Sequence, residues 1–166
     1  MRVYIPATLG MLSEFVADGS LQPRSGTAFA VTPALREAYA EGDDEELAEV
    51  AIGEAALASM RLLSGESAET PARRAVVVAD VPAEAVTVRP DLDDAVVRVT
   101  GRIAMDQVVA VFVDNPAAEP AVRAAVAVID VADLGDEDAE LTVGDAQDHD
   151  LAWYATQELP FLLDLL

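Results

Sequence analysis

The feature that most constrains the fold is a block of valine-rich segments in the middle of the chain, residues 73–113. Four stretches in this block favour β-strands because they are short and rich in β-branched residues. They are Arg74 to Val81, Ala85 to Arg89, Ala95 to Thr100 and Val108 to Val113. The second and third are joined by Pro90 to Asp94, which predicts a hairpin turn. The last stretch is almost wholly apolar, which predicts a strand with neighbours on both sides.

Patterns typical of helices lie on both sides of this block. Near the start, residues 2–6 predict a strand, Thr8 fits an N-cap, and the apolar residues that follow recur at helical spacing. Thr32, followed by a proline, predicts the N-cap of a further helix. Near the end, residues 151–155 predict a short strand, and Thr156 predicts a second N-cap. Because strands and helices are partly segregated along the chain, the sequence predicts an α+β fold. We expect residues 1–166 to form a single domain with a mixed β-sheet of about five or six strands and helices mainly on one face.

The composition excludes several kinds of chemistry. The chain has no Cys and no Lys, and only one His. Disulfides, thiolate catalysis, cysteine zinc sites and Schiff-base chemistry are therefore excluded. No phosphate-binding loop of the Gly-Lys-Ser/Thr type and no G-x-G-x-x-G motif is present. We expect no cofactor.

The formal charge of −21 at pH 7 is distributed unevenly. Residues 1–72 carry 4 Arg and 12 acidic residues, residues 73–102 carry 5 of each, and residues 103–166 carry 1 Arg and 14 acidic residues, which gives −8, 0 and −13. Such a chain repels phosphate backbones and anionic lipids, so we expect neither nucleic-acid nor membrane partners. The acidity fits a solvated surface or a salt-adapted host, and the alternative is a basic partner or a cation site.

The start of the chain bears on localisation. Met1 to Pro6 lacks the long apolar segment of a signal peptide, and no stretch approaches the roughly 20 apolar residues that a membrane span needs. We therefore expect a cytoplasmic protein.

The stretch 133–150 holds eight acidic residues and the only histidine, His149. We expect a solvated acidic loop with His149 at the surface. The alternative is a general acid–base role, because imidazole is the side chain that ordinarily exchanges protons near neutral pH.

A calcium site is the other alternative for this stretch. Asp136, Asp138 and Glu140 have the alternating spacing that opens an EF-hand loop. However, Leu141 stands where that loop needs Gly, and Gln147 stands where it needs Glu. We expect no tight divalent-cation site here.

Trp153 and Tyr154 form a bulky pair in a chain that is only 5% aromatic. Alternation along a strand places them on opposite faces. We expect one side chain in the core and the other nearer solvent, and the alternative is contact with a ligand or partner.

Half of the arginines lie in the strand-rich block. They predict either surface ion pairs, such as one between Arg89 and Asp91, or an anion pocket built from guanidinium groups. These five residues are Arg73, Arg74, Arg89, Arg98 and Arg102.

Five segments, taken in order, carry a resemblance to a known family. They are Met1 to Leu9, Val31 to Tyr39, Asp133 to Asp138, Asp148 to Tyr154 and Gln157 to Pro160. Together they resemble a family of short acidic actinobacterial proteins classed as a domain of unknown function. The resemblance covers essentially the whole chain and implies a GC-rich bacterial source. It implies no activity and transfers no catalytic residue.

Three functions are consistent with these patterns. The leading hypothesis is a non-enzymatic binding or interaction protein whose partner is another protein or a small molecule, because no common catalytic set is present. The second is a small enzyme or anion-binding protein that uses His149, Tyr154 or Glu158 for proton transfer. The third is an acidic mimic of nucleic acid that binds a basic protein.

For the site, we expect a cleft where the first strand–helix unit meets the last. If their strands are parallel neighbours, Thr8 and Thr156 lie at the same edge of the sheet, with Glu158 beside one helix start and Arg2 and Tyr4 on the adjoining strand. The alternative is that both threonines only cap their helices. His149 and Tyr154 complete this set of candidates, in which we assign no catalytic residue.

Overall fold

A seven-stranded antiparallel sheet forms the centre of the structure, a computed structural model that describes all 166 residues. Its strands lie in the order β5-β6-β3-β1-β4-β8-β9, and two further strands, β2 and β7, pair separately. The strands are β1 (Arg2–Ala7), β2 (Ser20–Leu21), β3 (Thr27–Phe29), β4 (Ala75–Asp80), β5 (Val86–Val88), β6 (Val96–Val99), β7 (Ile103–Ala104), β8 (Val108–Asp114) and β9 (Leu151–Tyr154).

The chain forms six helices, four of which cover the two faces of this sheet. They are α1 (Leu9–Asp18), α2 (Pro33–Ala38), α3 (Asp44–Ser64), α4 (Glu119–Asp133), α5 (Glu137–Gln147) and α6 (Leu159–Asp164). Helices α1 and α6 pack on one face, where Val3, Ile5 and Val77 point. Helices α2 and α3 pack on the other face, where Tyr4, Val76 and Val78 point. Helices α4 and α5 pack on the C-terminal part of α3 rather than on the strands.

Alternation along each strand separates these two cores. Successive side chains of β1 and β4 point to opposite faces, so one valine-rich strand supplies both cores. Both cores consist mainly of Ala, Val and Leu, with few large side chains. The α+β class is therefore confirmed, and four of the six helices lie on the α3 side.

The sheet differs from the expected one in two respects. It has seven strands where five or six were predicted, and every neighbouring pair is antiparallel where a mixed sheet was predicted. The reason lies in the connections. A single crossover helix gives parallel neighbours. Here α4 and α5 form a helical hairpin that returns the chain to the end of the sheet at which β8 stops. Strand β9 starts at that end and therefore runs antiparallel to β8.

Several local predictions are confirmed. Thr8 and Thr32 accept hydrogen bonds from the N–H groups of Met11 and Leu35 and so cap α1 and α2. Strands β5 and β6 form the expected hairpin. Strand β8 lies between β4 and β9, as its apolar sequence predicts.

The prediction that the acidic stretch 133–150 forms a loop is wrong, because most of this stretch is helix α5. The Asp136 side chain accepts a hydrogen bond from the N–H of Ala139 and caps this helix. Acidic residues in the first turn are favourable beside the positive helix end. Ala139, Val143 and Ala146 are buried at helical spacing, which fixes the helix against α4. The acidic pattern hid this apolar stripe of small residues.

Candidate functional site

A groove runs between α3 and the part of the sheet formed by β8 and β9. Two cavities, of about 610 and 330 Å³, share Ile52 and Phe112 and so form its two halves. We call it the α3–β9 groove. Helix α3 packs over β1, β3 and β4, and it leaves the same face of β8 and β9 uncovered.

Aromatic side chains form the floor of the groove. Tyr4 is buried at one side, Phe112 is half-buried in the middle, and Trp153 is 58% exposed at the outer side. Phe112 and Trp153 are directly opposite one another on β8 and β9. Three of the eight aromatic residues therefore line one shallow surface. Clustered apolar surface of this kind is typical of sites that bind a ligand or a partner.

An exposed ion pair lies at one end of the groove. Nε of Arg2 is 3.0 Å from Oδ1 of Asp80, and Nη2 is 3.0 Å from Oδ2. This hydrogen bonding lowers the pKa of Asp80. Burial raises the pKa of the Tyr4 phenol, and the nearby Asp80 carboxylate adds to the rise while Arg2 opposes it. Tyr4 therefore stays neutral at physiological pH and acts as apolar floor, not as a base.

A buried ion pair closes the other end. Nε of Arg74 donates to Oδ2 of Asp114 at 2.8 Å, and Nη2 donates to Oδ1 at 2.7 Å and to the carbonyl of His149 at 2.8 Å. The backbone N–H of Arg74 also donates to Asp114. Both side chains are almost fully buried. The third guanidinium nitrogen, Nη1, has no protein hydrogen bond, and Arg74 lines the larger cavity.

The rim of the groove is acidic. Glu49 on α3 and Asp150 before β9 are exposed and line the larger cavity. The two arginines of the groove are each neutralised by a partner carboxylate. The rim therefore presents net negative charge beside aromatic surface, and that combination favours cationic or amphipathic groups.

The structure places three predicted residues in this groove and separates the others from it. Arg2, Tyr4 and His149 line it. Tyr154 points to the opposite face, where it packs against the α1 core, while Trp153 points to solvent. The expected division of this pair between core and solvent is confirmed. Thr8 is buried at its helix cap.

The expected cleft between the first and last strand–helix units is wrong. Strands β1 and β9 are separated by β4 and β8, so they are not neighbours. The register aligns Ala7 with Ala75, Ala75 with Val113, and Val113 with Ala152. The end of β1 is therefore level with the start of β9, which places Thr8 and Thr156 at opposite ends of the sheet.

Thr156 also differs from the expected N-cap. Its hydroxyl donates to the carbonyl of Val108 at 3.1 Å, and a 3₁₀ turn, Thr156–Glu158, precedes α6. The Glu158 carboxylate accepts the N–H of Ala155 at 3.3 Å. His149 precedes β9 and Glu158 follows it, so the set proposed for proton transfer is divided between the two ends of this strand.

The five arginines of the strand-rich block do not form an anion pocket. Arg73 pairs with Glu119, Arg74 with Asp114 and Arg89 with Asp91, which confirms the predicted Arg89 pair. Arg98 and Arg102 donate to backbone or hydroxyl oxygens of residues 25 and 20. Each guanidinium therefore has its own neighbour, although the buried Nε of Arg98 has no hydrogen-bond partner.

Sequence reasoning missed Ile52, Phe112 and Arg74 as parts of one site. The alternation of Phe112 between the buried residues Val111 and Val113 was the available signal, because it places the aromatic ring on the opposite face from the α1 core. The helix α3 pattern shows which residues face the sheet, but not which strands the helix leaves bare.

The structure contains no group of three or more His, Cys, Asp or Glu side chains arranged to hold a metal ion. None of its helices has both the length and the apolar character needed to cross a membrane.

Neither the curated proteins nor the solved structures gave a match. A model described as a family of unknown function, DUF6912, matches residues 1–163. The match spans nearly the whole chain, including every strand of the sheet and both walls of the groove. The chain belongs to this family of unknown function, DUF6912.

Proposed function

We propose that this protein is a non-enzymatic binding module that holds an extended, basic segment of another polypeptide in the α3–β9 groove. The observation that carries the proposal is the aromatic floor, on which Trp153 is more than half exposed. The acidic residues line the other half of the same groove. Trp153 belongs to none of the buried apolar clusters that hold the chain together.

The shape and chemistry of the groove support a polypeptide ligand. The groove is long and shallow rather than closed, and its two halves meet at Phe112. Trp153 offers a ring face to a guanidinium or ammonium group, a contact worth about 0.5–2 kcal/mol. Glu49 and Asp150 add opposite charge in the other half of the groove. A net charge of −21 also attracts basic partners over longer distances.

The positions of the proton-transfer candidates support binding over catalysis. His149 contributes its backbone carbonyl to Arg74, and Glu158 lies beyond the other end of β9. Tyr154 faces the opposite side of the sheet from the groove. No two of these side chains share the cavity, whereas acid–base catalysis needs groups within hydrogen-bond reach of one substrate.

The test is a calorimetric titration with an eight-residue peptide in which arginine and valine alternate. We expect saturable binding in 1:1 stoichiometry, and no binding of the matched peptide with glutamate in place of arginine. Trp153→Ala is expected to weaken binding by about ten-fold or more, because one aromatic anchor often supplies 1.4 kcal/mol or more.

Leu141→Ala is the matched control, because Leu141 is 70% exposed on α5 and lies outside the groove. It is expected to bind as the unmodified protein does. Equal affinity for the arginine and glutamate peptides, or equal loss in both variants, would contradict the proposal.

A small-molecule ligand is the second candidate, and one observation favours it. The larger cavity, about 610 Å³, lies within the usual size range of ligand pockets. Nη1 of Arg74 is left as a donor there for a carbonyl or carboxylate oxygen. A thermal-shift screen of small carboxylates tests this candidate: a hit whose NMR shifts map to Arg74 and His149, and not to Trp153, would favour it over the polypeptide.

A further inference from the structure

Strand β9 is an open edge of the sheet. It is the last strand in the order, and β8 is its one hydrogen-bonded neighbour. Edge strands of natural proteins are commonly blocked by Lys, Pro or a bulge. Residues 151–154 contain none of these, and the pairing of β9 with β8 is regular along all four residues.

The hydrogen bonds of neighbouring strands determine which backbone groups of β9 are free. The N–H of Asp114 donates to the carbonyl of Arg74 on the β4 side. Because these directions alternate along an antiparallel strand, Val113 and Val111 direct their N–H and C=O groups towards β9. Their partners, Ala152 and Tyr154, are therefore bonded to β8.

The intervening residues, Leu151 and Trp153, direct their N–H and C=O groups outward. None of these four groups has a hydrogen bond to a turn, a cap or a side chain. The side chains of the same two residues line the α3–β9 groove. Unpaired backbone and exposed aromatic surface thus coincide on the same two residues.

We propose that the bound segment adds to β9 as an eighth, antiparallel strand, so that main-chain hydrogen bonds to Leu151 and Trp153 hold it in register. The proposal rests on the proposed function and specifies how the same site recognises its partner. A strand added to a sheet edge gains affinity from its main chain and specificity from alternate side chains.

The geometry also assigns a side-chain pattern to the partner. A residue paired with Trp153 has its side chain on the α3 face, next to the indole ring. The residue paired with Leu151 has its side chain on the same face, in the half of the groove that Glu49 and Asp150 line. An arginine fits both positions. The alternate residues of the partner lie on the other face beside Ala152 and Tyr154, where small apolar side chains fit. A second copy of this chain is disfavoured, because two molecules of charge −21 repel one another.

The test uses single N-methyl groups along the alternating arginine–valine peptide. An N-methyl group removes one N–H donor and blocks approach at that position. Methylation of the central arginines is expected to weaken binding by about ten-fold or more, whereas methylation of the central valines is expected to change it less than about three-fold.

Amide hydrogen exchange gives an independent readout on the protein. Peptide binding is expected to slow exchange at Leu151 and Trp153 by about ten-fold or more, and to leave Ala152 and Tyr154 unchanged, since these are already bonded to β8. The matched control is the glutamate peptide, which is expected to slow neither pair.

The outcomes separate this inference from the proposed function. If the unmethylated peptide binds in the groove but N-methylation shows no alternation, strand addition is overturned and the groove proposal stands. If the unmethylated peptide does not bind, both are overturned. Alternation with the opposite parity, in which valine methylation is the harmful change, would overturn the assigned pattern of side chains.

Discussion

At the scale of single residues, the buried pair of Arg74 and Asp114 is the most demanding feature of the molecule. Two charges are removed from water, and the cost is offset by four hydrogen bonds that join β4, β8 and the segment before β9. A buried pair of this kind contributes little net stability compared with apolar residues, but loss of one partner leaves an unpaired buried charge.

Asp114→Asn tests this argument. The substitution keeps the shape of the side chain but leaves the Arg74 guanidinium without its counter-charge. We expect a loss of about 3–5 kcal/mol in the free energy of unfolding, measured by urea denaturation. Asp80→Asn is the matched control, because its pair with Arg2 is half-exposed, and it is expected to cost about 0–1 kcal/mol. Equal losses in the two variants would contradict the role of burial.

Glu54 is a carboxyl group whose charged form the fold disfavours. Burial raises the pKa of its carboxyl, Asp93 adds to the rise, and Arg61 opposes it. Since the folded-state pKa is the higher one, the folded chain binds more protons than the unfolded chain above the ordinary value of 4.5. As pH rises from 4.5 through the folded-state pKa, ionisation of Glu54 therefore reduces the free energy of unfolding.

Glu54→Gln is accordingly expected to raise the melting temperature at pH 7 by about 1–3 °C. The gain is expected to shrink as pH falls towards and below 4.5, where Glu54 is protonated in both states. Thermal melts at several pH values measure it. Glu69→Gln, in an exposed loop, makes the same change in net charge and is expected to leave the melting temperature unaltered. A gain that does not depend on pH would contradict the explanation.

At the scale of elements, β9 joins the fold to the proposed site. One edge of this strand is bonded to β8, and the other is free. The structure therefore predicts alternating protection of its amides in the free protein. Ala152 and Tyr154 are expected to exchange at least about ten-fold more slowly than Leu151 and Trp153, as measured by NMR hydrogen exchange. Uniform protection along the strand would show that another group covers its edge.

The elements also show what the sequence was able to predict. Caps such as Thr8 and Thr32, and the hairpin of β5 and β6, depend on neighbouring residues, so local patterns were sufficient. The role of Thr156, by contrast, depends on the hydrogen bond from its hydroxyl to the carbonyl of Val108, a residue 48 positions away. Helix α5 was hidden because small apolar residues alternate with carboxylates along its sequence.

The candidate site was predictable only in part, for the same physical reason. Arg2, Tyr4 and His149 were among the candidates and line the groove, but the expected pairing of the first and last strands was wrong. Strand order depends on the sum of many long-range contacts. The pattern of strand, two helices and strand in a sequence also does not show whether the second strand runs parallel or antiparallel to the first. Phe112 and Ile52 come together only once β8 and α3 are packed against β1 and β4.

At the scale of the whole molecule, charge is the dominant property. A net charge of −21 on 166 residues repels acidic partners and attracts basic ones over a distance set by the ionic strength. Binding of the arginine–valine peptide is therefore expected to weaken by roughly ten-fold between 50 and 500 mM salt. Calorimetric titrations at several salt concentrations measure this slope. Affinity that is independent of salt would show that the acidic surface has no part in recognition.

The central claim is that the groove between α3 and β9 is a binding surface for basic extended segments, and the single tryptophan of the chain lies within it. Trp153 is 58% exposed in the free protein, so covering it changes its emission directly, with no contribution from any other tryptophan. Titration with the arginine–valine peptide is expected to give a saturable blue shift of Trp153 fluorescence, at the same midpoint as the calorimetric binding curve. Binding that leaves the emission of Trp153 unchanged would place the partner elsewhere on the molecule and contradict binding in the groove.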